Sequence, residues 1–216
     1  MLIFDNRGVG QTEAPPTPNT IRVMADDTIA LMDALDIERT TLVGHSMGGA
    51  IALQMSLIAP DRISQTVICA SAARLPYPSV AVIKVAVKYR EMDLDPTLIF
   101  ETTFPWIYGE AFLRDEARVR TQMDQLLQNP YPQSLDHFRG QVAACESFDL
   151  ERAISEVRTD TLVVAGNEDV LTPLRCSEYL HQNIAGSRLV VMNNCGHMIQ
   201  HEQPSKLAET ILTFLH

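Results

Sequence analysis

Apolar residues along this chain follow two rhythms that alternate. Short β-rich runs occur at residues 2–4 (LIF), 40–43 (TTLV), 66–70 (TVICA), 161–165 (TLVVA) and 188–192 (RLVVM). Four of them are almost wholly apolar, as strands buried on both faces of a parallel sheet should be. Helical periodicity lies between them. Ile21, Met24, Ala25, Thr28, Leu31, Met32 and Leu35 recur at i, i+3, i+4 and i+7, with Asn19 or Thr20 ahead as a cap. A second helix is predicted over 48–59, stopped by Pro60, and a third over 204–215. Strand–helix units repeated in this way imply an α/β fold, a doubly wound and mostly parallel sheet with right-handed crossovers.

Residues 72–158 break the rhythm. They hold helical patterns but no convincing strand, and prolines at 76, 78, 96, 105, 130 and 132 punctuate them. A helical block between two strands of one sheet reads as an inserted cap. The predicted organisation is therefore a core in two parts, 1–71 and 159–216, around a cap at 72–158. Trp106 lies in the block with Phe100, Phe104, Tyr108 and Phe112, and two readings stay open: these aromatics line an apolar pocket, or they hold the cap helices together.

Composition narrows the partners. A formal charge of −10 argues against nucleic acid or an anionic membrane, since phosphate binding needs clustered Lys and Arg. The 46% hydrophobic and 20% charged content is that of an ordinary globular chain. No apolar run approaches a membrane span and no signal-peptide pattern opens the sequence. Cys69, Cys145, Cys176 and Cys195 lack CxxC spacing, which favours reduced thiols and a cytoplasmic location.

The candidate chemistry begins after TTLV, where Gly44-His45-Ser46-Met47-Gly48-Gly49 fits G-x-S-x-G between a strand and a helix. A serine there sits on a strained turn that lifts its Oγ clear of the sheet, and glycines on both sides are expected to relieve crowding. The hydroxyl needs a base to take its proton, and the base needs an orienting carboxylate. In this architecture they follow in the order Ser, Asp or Glu, His, after later strands. Asp169 follows TLVVA in AGNEDVLTP, with Glu168 as the fallback, and His197 follows RLVVM in NNCGH. His197 and His201 are spaced i, i+4 but lack the Glu of HExxH, and Gly8-Val9-Gly10 lacks a P-loop lysine. No metal and no cofactor is expected.

The stretches FDNRGVGQT, LVGHSMGG, TLVVAGNEDVLTP and NCGHMIQHEQPSKLAETILTFL resemble the α/β-hydrolase superfamily. The resemblance is to small cytosolic esterases and lactonases related to 3-oxoadipate enol-lactonase and the pimeloyl-ester carboxylesterases. It implies a Ser46–His197–Asp169 triad, the Met47 N–H as one oxyanion-hole donor, and a small carboxylic ester or lactone as substrate. It also implies that residues 2–4 correspond to a fourth strand. About 40–60 residues of the family pattern, with the His-Gly-type loop that supplies the second oxyanion donor, then have no counterpart here. The expected result is an N-terminally truncated sheet with a slot beside TTLV. Strand 2–4 would pair with TTLV, detach, or pair with another chain as a homo-oligomer or domain swap. Losing one oxyanion donor costs about 10²–10³ in turnover. Two alternatives remain beside the esterase reading: C–C hydrolysis or acyl transfer on the same triad, and a catalytically degenerate binding protein.

Overall fold

The computed structural model describes residues 1–14 and 19–216. Helix α1 (Ile21–Ala34) precedes β1 (Thr40–His45), and α2 (Met47–Ile58) leads to β2 (Ile63–Cys69). Five helices follow without a strand between them: α3 (Tyr77–Glu91), α4 (Pro96–Ile107), α5 (Glu110–Leu113), α6 (Glu116–Leu127) and α7 (Leu135–Ser147). The sheet resumes with β3 (Asp160–Gly166), α8 (Leu174–Asn183) and β4 (Arg188–Met192), and the chain closes with α9 (Ile199–Glu202) and α10 (Pro204–Leu215).

The four strands lie in the order β1-β2-β3-β4, and every pair is parallel. Parallel neighbours need a crossover between them, so every connection carries helix and both faces of the sheet are covered. Successive residues of β2 and β3 alternate between two cores. Ile68 and Val163 face α1, α2 and α8 through Met24, Leu53 and Leu180, whereas Val67, Leu162 and Val164 face Phe214 of α10. Each such side chain contributes about 1.5–3 kcal/mol when fully buried. The fold is thus the α/β, doubly wound parallel arrangement that the apolar runs imply.

At the front of α1, Thr20 is the cap, its Oγ1 accepting from the Val23 N–H at 3.1 Å. Leu35, the last member of the stripe, falls one residue past the helix end at Ala34 and is exposed. Residues 2–4 are the main departure: they form no strand and pair with nothing in the sheet. Leu2, Ile3 and Phe4 stand exposed on one wall of a groove of about 240 Å³, whose other wall is Leu42, Val43, Gly44 and His45 of β1. The segment is held by the turn behind it instead. Arg7 grips Asp27 of α1 at 2.5 Å, and the Gly8 carbonyl accepts from Gln133. Apolarity suits a segment to a sheet, but only an adjacent strand makes it one. The proposed exchange through an N-terminal strand therefore has no formed strand to work with, only an exposed segment and the unpaired edge of β1, where Val43 is exposed.

Candidate active site

Every candidate side chain stands at the carboxyl end of the sheet, where parallel strands hand over to loops. Ser46 follows β1 directly and takes φ +53°, ψ −116°, while its N–H donates to the Cys69 carbonyl at 2.9 Å. A non-glycine residue held there stores about 1–3 kcal/mol, which the surrounding packing must hold in place. Gly44 permits the turn: a Cβ at this position would strike the Gly48 carbonyl. The second glycine of the pattern behaves otherwise. Gly48 faces open space, and the crowded position is Gly49, where a Cβ would come within 2.6 Å of Ser71 Cβ. Met47 opens α2, so its N–H lies in the first turn, without an intrahelical acceptor and at the positive end of the helix dipole.

Across the sheet, the loops after β3 and β4 meet. Asp169 and His197 are both buried, and His197 Nδ1 lies 2.9 Å from Asp169 Oδ2. The same carboxylate accepts from the N–H groups of Leu171 (2.8 Å) and Thr172 (2.7 Å) and from the Thr172 hydroxyl (2.6 Å). With acceptor oxygens on the Asp169 carboxylate, the pairing assigns a proton to His197 Nδ1 and turns Nε2 away from the acid. Glu168 takes a different part. Its Oε2 accepts from the Glu110 N–H at 2.7 Å, so it faces the helical insert and not His197. Among the described residues, no hydrogen bond joins Ser46 Oγ to the histidine; such contacts commonly tighten only with substrate bound.

Three residues to which the motifs assign no role hold this arrangement. Thr172 lies 3.1 Å from His197 Nδ1 as well as bonding Asp169, so it braces both. His45 donates from Nε2 to the His197 carbonyl at 2.8 Å, and the two rings stand 4.8 Å apart. Burial, and then the neighbouring His197, push the His45 pKa down to about 4, so it stays neutral. Glu202 is buried and accepts from the Gly196 N–H (3.0 Å) and the Gly109 N–H (3.0 Å), joining the histidine loop to the helical insert. Burial raises its pKa, with the two N–H groups pulling the other way. His201 is engaged by the Tyr108 hydroxyl at 3.0 Å. Of these residues only Thr172 leaves a local signal, a hydroxyl three places after Asp169 that suits an acid-anchored turn.

A cavity of about 210 Å³ opens beside Ser46. Leu75, Ile83, Phe138, Val142 and Phe148 belong to its apolar wall. The aromatics of α4, α5 and the junction between them lie elsewhere: Phe104, Tyr108 and Phe112 are buried together, with the rings of Tyr108 and Phe112 stacked at 4.0 Å. They hold the helical insert together and do not line this cavity.

Residues 1–204 match the family model described as the alpha/beta hydrolase fold. A 2-hydroxymuconate semialdehyde hydrolase of Pseudomonas sp. (strain CF600) is 32% identical, over 98% of this chain and 74% of its own. A Caulobacter sp. (strain K31) protein provisionally named carbamate hydrolase RutD is 30% identical, over 100% of this chain and 80% of its own. Among solved structures, the enol-lactonase from Burkholderia xenovorans LB400 superimposes with a TM-score of 0.85 at 26% identity, covering 98% of this chain and 78% of that one.

Proposed function

The chain belongs to the α/β-hydrolase fold family, and on that footing we propose that it is a serine hydrolase of small carboxylic esters or lactones. The observation that carries this reading is the buried Asp169–His197 pair, held at 2.9 Å with the histidine proton assigned to Nδ1. Ser46 Oγ attacks the substrate carbonyl while His197 Nε2 takes its proton. The Met47 N–H, at the start of α2, meets the negative charge that forms on the carbonyl oxygen. Asp169 stabilises the imidazolium, His197 returns the proton to the leaving oxygen, and water then cleaves the acyl-enzyme by the same relay.

The cavity takes the acyl group under a cap formed by residues 72–158. Cys145 also lines it, but burial pushes that thiol up to about 11, which leaves Ser46 as the nucleophile at neutral pH. The same reading needs no metal or cofactor and places the enzyme in the cytoplasm, where its four free cysteines stay reduced. No described helix is long and apolar enough to cross a membrane.

A short-chain p-nitrophenyl ester assay tests the proposal. The wild type is expected to exceed Ser46→Ala by roughly 10⁴ or more in kcat; equal rates would overturn it. C–C bond hydrolysis is the second reading, favoured by the name of the 32%-identical relative. 2-Hydroxymuconate semialdehyde cleaved faster than any ester would put it first.

A further inference from the structure

Helix α7 lays a stripe at i, i+3, i+4 and i+7 against the cavity beside Ser46: Phe138, Gln141, Val142 and Cys145. Three of these are apolar or weakly polar, as an inward helix face requires. Gln141 is not. Its Nε2 is buried, and among the described residues it has no hydrogen-bond partner. Of the other polar groups on the wall, Thr172 is committed to Asp169, Ser46 is the nucleophile of the reading above, and Ser71 is a buried hydroxyl. A buried amide donor without a partner is unfavourable in the empty protein, and a ligand oxygen that draws Nε2 into the cavity gives it one. The terminal torsion of glutamine is broad and two-fold, so either end of the amide can turn toward the cavity at low cost.

We propose that Gln141 is a specificity-determining residue, whose amide N–H recognises one oxygen acceptor on an otherwise apolar acyl chain. The preferred substrates are then short-chain esters or lactones bearing a ketone oxygen, not their plain hydrocarbon counterparts. The inference rests on the cavity being the acyl site of the proposed hydrolase. Sites built to hydrogen-bond a substrate oxygen discriminate strongly against the analogue lacking it, because the protein group is left unpaired; plain apolar pockets discriminate weakly.

The test separates recognition from chemistry by using the Ser46→Ala protein, which cannot turn over. Calorimetry compares methyl hexanoate with its 3-oxo, 4-oxo and 5-oxo derivatives. At least one oxo ester is expected to bind about tenfold more tightly than hexanoate. In the Ser46→Ala, Gln141→Leu double variant that preference should vanish, while hexanoate binding holds or improves. Equal affinity for all four esters, binding of none, or a preference that survives the leucine substitution would overturn the inference. A wild type that binds with the predicted preference but cleaves no ester would instead overturn the hydrolase reading and leave Gln141 as a recognition residue.

Discussion

The two flanks of Ser46 are built differently. Toward β3 and β4, Asp169 accepts three hydrogen bonds besides the one from His197, and Glu202 ties the histidine loop to the helical insert. Toward the other side, β1 is the sheet edge. Val43 stands exposed, and Leu2, Ile3 and Phe4 face it across a groove with no ladder between them. In the proposed mechanism, one flank fixes an acid and a base in place before any substrate arrives. The other offers developing negative charge the first turn of α2, with Met47 at its start. Preorganisation here is one-sided, so proton transfer should be the better-prepared half of the chemistry and oxyanion stabilisation the weaker half.

The largest effect should separate the two neighbouring acids. Asp169→Asn is expected to lower kcat by about 10⁴, since the wrong histidine tautomer is then favoured. Glu168→Gln should stay within about threefold, because that carboxylate bonds only the insert. Comparable losses in steady-state ester kinetics would break the assignment. Next comes Thr172→Val, which removes the shortest bond to the Asp169 carboxylate and should cost about 1.5–3 kcal/mol of stability in urea unfolding. A neutral result would mean that the two loop N–H groups suffice.

A smaller, pH-dependent effect is expected at Glu202. Its pKa in the folded protein is raised above the ordinary 4.5, chiefly by burial. The protonated form is therefore favoured on folding: its stabilising contribution is fully present below 4.5 and lost as pH rises through the folded value. Relative to Glu202→Gln, the wild type should gain melting temperature as pH falls toward 4.5; a difference independent of pH would remove this account. The smallest effect belongs to the open flank. Val43→Lys should change unfolding free energy by no more than about 0.5 kcal/mol, while reducing concentration-dependent association in sedimentation, because lysine blunts an unpaired edge. A loss of several times that size would show the edge to be covered.

How much of this is legible in the sequence depends on whether a feature is local. The central strands β2 and β3 are, because burial on both faces forces contiguous apolar runs, and the half-buried run 188–192 also coincides with β4 (Arg188–Met192). Residues 2–4 carry the same signature, yet they form no ladder with β1 across the groove. The serine turn is legible for the same reason: Gly44 answers a backbone collision four residues away. Asp169 and His197 announce themselves by position after their strands, and the structure brings them to 2.9 Å. Glu202 and His45 give no such notice. Besides the nearby Gly196, Glu202 reaches Gly109, 93 residues away, and His45 reaches the carbonyl of His197, 152 residues away. Only tertiary packing decides those contacts. Gln141 reads in the sequence as one polar residue on a helix, and only the cavity makes it an exception.

The most direct measurement of the central claim, that the organised flank serves Ser46, is covalent labelling with an alkyl fluorophosphonate followed by peptide mapping. The account predicts a single adduct on Ser46, formed at least roughly 10²-fold more slowly in His197→Ala. An adduct elsewhere, or labelling of Ser46 at the same rate without the histidine, would contradict it.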